Sequence, residues 1–149
     1  MPITGTADDR EQIRELYARY AFTIDHGPYE DWVKCFTTDG IFDSPRMGRH
    51  EGHEGLRKFT VMYKNSSGDA QVRHVIANVT FRVEGDRAMG GCYLNYYHVR
   101  GGKASLEALG RYQDELRKVD GEWLFQYRRV YIDGHGPSVN PAAAGANGR

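Results

Sequence analysis

The chain has no apolar run near the roughly 18–20 residues that cross a bilayer, and its first residues lack a signal peptide's charged start and apolar core. The cytoplasm is the expected location, with no membrane partner. Among 149 residues there are only two cysteines, Cys35 and Cys92, and no CxxC, so neither a disulfide framework nor a zinc cluster is implied. Both are expected to be buried thiols. Charge of one sign is missing too: twenty Lys and Arg balance twenty Asp and Glu, and no basic run exceeds two residues. That excludes the electrostatic footprint of a nucleic-acid binder. There is no Gly-rich phosphate loop, nucleophile elbow or cofactor-binding motif. Chemistry in this chain is therefore expected to need no cofactor. His50 and His53 in RHEGHEG have one residue too few between them for the HExxH helix motif and no third ligand nearby, so no metal is expected.

What is present is a core and a large aromatic supply. Forty per cent of the residues are hydrophobic, enough for one domain, and ten Tyr, six Phe and two Trp exceed what a core of this size must absorb. Some are expected to line a pocket for a hydrophobic, cyclic or aromatic small molecule. Residues 1–135 read as the domain. Residues 136–149, rich in Gly, Ala, Pro and Asn, read as a mobile arm.

Apolar residues at Ile13, Leu16, Tyr17, Tyr20, Ala21 and Ile24 recur at helical spacing. Thr6 or Asp8 caps that helix, and acidic residues suit its first turn. Gly27-Pro28 ends it and starts a short second helix with Trp32, Val33 and Phe36 on its apolar side. A strand is expected at 40–44, a loop at 45–52, and a third helix at 52–64 that buries Leu56, Phe59, Val61 or Met62, and Tyr63. Beyond the NSSG break, β-rich stretches at 71–84, 87–99, 104–119 and 122–133 are separated by EGDR, RGGK and DGE turns. In the last of them Trp123, Phe125, Tyr127, Arg129 and Tyr131 alternate onto one face. The class is α+β: three N-terminal helices cover one face of a strongly curved, mixed but mainly antiparallel sheet, leaving a cone-shaped cavity. Gly90-Gly91 is placed to absorb the bend.

Two residues bring chemistry to that frame. Asp25 falls near the end of the first helix and His74 near the start of a later strand, 49 residues apart. An imidazole accepts a proton at neutral pH, and a carboxylate behind it holds its tautomer and balances the imidazolium as it forms. Tyr20, read as sharing the helix face of Asp25, could donate to a carbonyl or leaving-group oxygen. Trp32, Phe36, Phe59, Tyr63, Tyr97 and Tyr112 are the candidates for the pocket wall. Arg129, on an apolar strand face, needs Asp25, Asp114 or a polar substrate group as partner. His98 and His135 are read as surface groups that can reach a pocket mouth or a subunit contact.

The segments YARYAFTIDHGPYEDWVKCFTTDGIFDS, RHVIANVTF, EGDRAMGGCYL and GRYQDELRKVDGEWLFQYRR together resemble the SnoaL-like branch of the nuclear transport factor 2-like superfamily over residues 8–133. Within it the chain is similar to the enzymes with an Asp–His dyad: hexachlorocyclohexane dehydrochlorinase, scytalone dehydratase and the bile-acid dehydratases. Asp25 and His74 match the dyad positions, His74 to Asn78 matches the dehydrochlorinase HxxxN strand, and Tyr20 matches the dehydratase tyrosine. The Asp–Arg–Asp arrangement of limonene epoxide hydrolases is matched only weakly, by Arg129 and Asp114. The resemblance implies a cofactor-independent lyase, a dehydratase or a related eliminating enzyme, that forms a homo-oligomer, a trimer before a dimer. An isomerase or cyclase using the same base remains open. So does a non-catalytic ligand carrier or a protein like the small subunit of ring-hydroxylating dioxygenases, because the fold alone decides no activity.

Overall fold

Helix α1 (Ala7–His26) begins where the side chains say it should. Thr6 accepts from the Asp9 backbone N–H at 3.0 Å, and the Asp9 carboxylate returns the bond to the Thr6 backbone at 3.2 Å, a reciprocal cap. The same carboxylate accepts from Trp123 Nε1 at 2.9 Å and Lys118 Nζ at 3.0 Å, which ties the helix start to the far end of the sheet. The structure is a computed structural model in which residues 2–134 are described. The arm expected at 136–149, and His135, lie outside the described residues.

After α1 the chain forms α2 (Tyr29–Val33), β1 (Phe36–Ser44), β2 (Gly48–Glu51), α3 (Gly52–Ser67), β3 (Gln71–Glu84), β4 (Arg87–Arg100), β5 (Lys103–Val119) and β6 (Glu122–Ile132). One sheet of six strands has the order β2-β1-β6-β5-β4-β3, antiparallel throughout except for the parallel pair β1 and β6. The helices and the inner face of this mixed sheet share one core, the architecture expected from the element order. No helix among the described residues is long and apolar enough to cross a membrane.

Three local expectations are corrected. Phe36 leaves the second helix and opens β1, four residues before the expected strand, because the Phe36 and Thr37 side chains are buried in the sheet while α2 stops at Val33. The expected loop at 45–52 contains β2, which pairs back on β1 through Phe42 and His50. In α3, Val61 is 63% and Met62 41% exposed, and the buried stripe runs Leu56, Phe59, Thr60, Tyr63, Ser67 at helical spacing.

β-Bulges reset which face each strand presents. Glu115 pairs with Tyr127 but Leu116 pairs with Phe125, so Gln126 is an extra residue in β6. Trp123 and Phe125 point inward before it, and Arg128 and Val130 after it. A one-residue shift exchanges the faces of everything downstream. The strict alternation that put Tyr127, Arg129 and Tyr131 beside Trp123 is therefore broken, and the buried arginine is Arg128. Similar shifts make Glu107 the extra residue of β5 and place Asn78, with a left-handed φ of 56°, at a bulge in β3.

Arg128 donates to Asp114 through Nε and Nη2, both at 2.8 Å, and Tyr17 donates to the same carboxylate at 2.6 Å. The Arg128 and Asp114 side chains are fully buried. The guanidinium lies 4.0 Å from the Tyr112 and Phe125 ring centres and 4.2 Å from that of Tyr20, so aromatic faces surround the Nη1 group, which has no hydrogen-bond partner among the described residues. Gly90 and Gly91 lie beside this cluster: a Cβ on Gly90 would come 2.9 Å from the Tyr17 hydroxyl, and one on Gly91 2.5 Å from the Tyr112 carbonyl oxygen. Close approach of Tyr17 on α1 at Gly90, and of the β5 backbone at Gly91, demands glycine at both positions.

Candidate active site

α1 and β3 meet at Asp25 and His74. The Asp25 carboxylate accepts from the His74 backbone N–H at 2.9 Å and from His74 Nδ1 at 2.6 Å. A carboxylate only accepts, so Nδ1 carries a proton, and in the neutral imidazole Nε2 holds the lone pair. Side-chain exposures of 3% for Asp25 and 9% for His74 put the pair out of bulk water but leave the ring an edge in a cavity. That cavity, about 230 Å³, lies between α3 and the inner face of the sheet. Phe59, Tyr63 and Tyr112 join His74 in its lining, as do Phe42, Met47, Leu94 and Tyr96. Exposed Arg46 and Glu107 and the partly exposed His98 mark its open end.

Other expected wall residues go elsewhere. Tyr20 is 1% exposed and does not line the cavity, packing instead on Trp32, Phe36, Tyr112 and Phe125. Five residues along an α-helix turn the side-chain direction by about 140°, so Tyr20 and Asp25 do not share a face. Burial pushes the Tyr20 phenol up to about 12. Trp32 and Phe36 are core residues behind the wall, with Trp32 supporting Phe59 at a ring separation of 5.2 Å. Tyr97 points to the outer face of β4, because the inward positions of that strand are Cys92, Leu94, Tyr96 and His98. Arg129 is on the outer face as well, 3.6 Å from Asp43 and donating to the Tyr127 hydroxyl at 2.7 Å. Its expected pairing with Asp114 belongs to Arg128.

Tyr96 and Glu107 are among the lining residues that sequence reasoning missed, and His98 lines the cavity as the pocket-mouth alternative to its surface reading had it. Counting in twos from buried Cys92 would have found Tyr96 and His98. Glu107 had no such signal, since it lines the cavity only as a bulge residue. Ser105, donating at 2.6 Å, and then the basic side chains of His98, Arg100 and Arg46 hold its carboxyl below the usual range. Burial raises the Tyr63 and Tyr96 phenols, so both stay protonated.

Metal ligation has no geometry to support it among the described residues: no three His, Cys, Asp or Glu side chains converge. His50 donates through Nε2 to the Met47 carbonyl at 2.7 Å and His53 to that of Phe36 at 3.0 Å. Cys35 and Cys92 are buried free thiols, and burial pushes Cys92 up to about 12.

The model of the SnoaL-like domain matches residues 5–129. The chain belongs to the SnoaL-like domain family. A Mycobacterium tuberculosis protein of unknown function is 30% identical, with a TM-score of 0.77 over 87% of this chain and 76% of that one. A Nostoc punctiforme protein of unknown function with a cystatin-like fold is 25% identical, with a TM-score of 0.77, 91% of this chain and 98% of that chain being covered. A nuclear transport factor 2-like protein from Novosphingobium aromaticivorans shares the fold at 23% identity, with a TM-score of 0.76 and coverage of 93% and 88%. None of the curated proteins matches the chain. The SnoaL-like assignment thus agrees with the resemblance carried by the sequence segments.

Proposed function

We propose that this SnoaL-like protein is a cofactor-independent lyase that eliminates water or a similar group from a hydrophobic, cyclic or aromatic small molecule. The observation that carries the reading is the 2.6 Å bond from His74 Nδ1 to Asp25 at the wall of an aromatic cavity. Asp25 sets the tautomer, Nε2 removes a proton from carbon beside an activating group, and the carboxylate balances the imidazolium. Water is scarce around the pair, which strengthens that electrostatic support. Positioning by the rings of Phe59, Tyr63 and Tyr112 supplies the remainder. Product analysis separates elimination from the isomerase and cyclase outcomes of the same base.

The test uses nitrobenzisoxazole, a flat apolar probe whose ring opens on removal of one C–H proton. The wild-type protein should accelerate the opening, and His74→Ala should lower that rate by about 10²–10⁴-fold, the usual worth of a positioned base. Equal rates for the two proteins, with intact circular dichroism, would remove His74 from the chemistry.

A further inference from the structure

A second set of proton-bearing groups faces the same cavity and is not used by the dyad. Tyr96 Oη lies 3.2 Å from Tyr63 Oη and 3.1 Å from His98 Nε2. His98 Nδ1 lies 3.4 Å from Arg100 Nη1 and 4.0 Å from Glu107. Arginine only donates, so His98 Nδ1 accepts and Nε2 carries the hydrogen given to Tyr96. Either hydroxyl can donate in the Tyr63–Tyr96 contact; a phenol oxygen accepts two hydrogen bonds, and in the arrangement in which Tyr63 donates, Tyr63 and His98 fill both places and the Tyr96 hydrogen is the one left for the cavity.

Tyr96 is also placed against the base. His74 and Tyr96 are register partners on β3 and β4, both directed inward, with ring centres 4.7 Å apart. Groups so close can address adjacent atoms of one substrate from the same side.

We propose that Tyr96 is the proton donor of this cavity and that Tyr63 and His98 are its positioning residues. The inference rests on the elimination reading and completes it. His74 Nε2 takes a proton from carbon, and the C–H electron pair becomes the new C=C bond. The neighbouring C–O bond breaks with its electrons on oxygen, and Tyr96 Oη–H protonates that oxygen to release water. His74 has then gained one proton and Tyr96 lost one. The released water carries that proton from the imidazolium back to the phenolate, so the net change is substrate to alkene plus water. Donation from His98 and Tyr63 to Tyr96 Oη stabilises the phenolate as it forms.

The experiment is a spectrophotometric pH titration of bound para-nitrophenol, whose phenol oxygen stands in for the leaving oxygen. Other groups facing the probe are His74 with Asp25 behind it, Glu107, Arg46 and Tyr112, all common to wild type and Tyr96→Phe. The difference between the two proteins therefore isolates the donor. The bound probe should ionise about one pH unit lower in wild type than in Tyr96→Phe, a tenfold preference for the phenolate. Tyr63→Phe and His98→Gln should each remove part of that difference, which keeps the test intact should Tyr96→Phe fold poorly. His74→Ala should retain it. Absence of saturable binding, or the same ionisation in wild type, Tyr96→Phe, Tyr63→Phe and His98→Gln, would overturn the proposal. Failure of the nitrobenzisoxazole test with the Tyr96 difference intact would instead count against the base alone, so the two failures are distinguishable.

Discussion

One carboxylate, that of Asp25, grips His74 twice, at the ring Nδ1 (2.6 Å) and at the backbone N–H (2.9 Å). The contact that seats β3 on the end of α1 is thus the contact that sets the tautomer. Asp25→Asn replaces one acceptor oxygen by a donor, so it can keep the backbone bond while presenting an N–H to the ring. The lone pair then moves to Nδ1. The expected result is a folded protein whose nitrobenzisoxazole rate falls about 10²–10⁴-fold, close to that of His74→Ala. A rate within twofold of wild type would show that the tautomer does not matter.

Arg128 and Asp114 make the second prediction. Removing one member of a buried pair strands the other charge, so Arg128→Met should lower the unfolding free energy by about 3–5 kcal/mol in a denaturant titration. The double change Arg128→Met with Asp114→Leu should recover part of that loss, because no buried charge then remains. Arg129→Met, on the outer face, should cost under about 1 kcal/mol.

Asp9 contributes to acid stability. Hydrogen bonds from Trp123, Thr6 and Lys118, in that order of effect, hold its carboxyl well below the usual range. The folded pKa is depressed, so the contribution is fully present above the unfolded value near 3.8 and is lost as pH falls through the folded one. Between pH 4 and pH 2 the midpoint temperature of Asp9→Asn should fall less steeply than that of wild type. Parallel slopes in calorimetry would contradict this.

Assembly is the fourth. Val75, Met89, Tyr93, Leu106 and Leu109 are large, exposed, and lie on the outer face of β3, β4 and β5. Exposed large apolar side chains sharing one sheet face in this number are expected to be covered. We expect a homotrimer by analytical ultracentrifugation, and a monomer for Leu109→Arg. A wild-type monomer would count against this surface as a subunit interface.

Thr6, Asp9, Ile13, Leu16 and Tyr17 specify α1 through neighbours at most four residues away, and the EGDR, RGGK and DGE turns mark three hairpins in the same local way. The sequence by itself therefore determined the presence of three helices and of the four long strands that follow them, and it raised the pairing of Asp25 with His74 as a question, but it missed β2. Bulges are different in kind. Whether Gln126 or Glu107 is the extra residue depends on which partner stands across the sheet, and that partner is remote in sequence. Each bulge reverses the faces that follow it, so tertiary structure alone decided that Arg128 and not Arg129 is buried and that Glu107 reaches the cavity. The rotation of Tyr20 away from Asp25 was legible from helix geometry. Whether its ring would line a cavity or fill the core was not, because that depended on how Trp32, Phe36, Tyr112 and Phe125 close around it, a matter of packing between elements rather than of residue order.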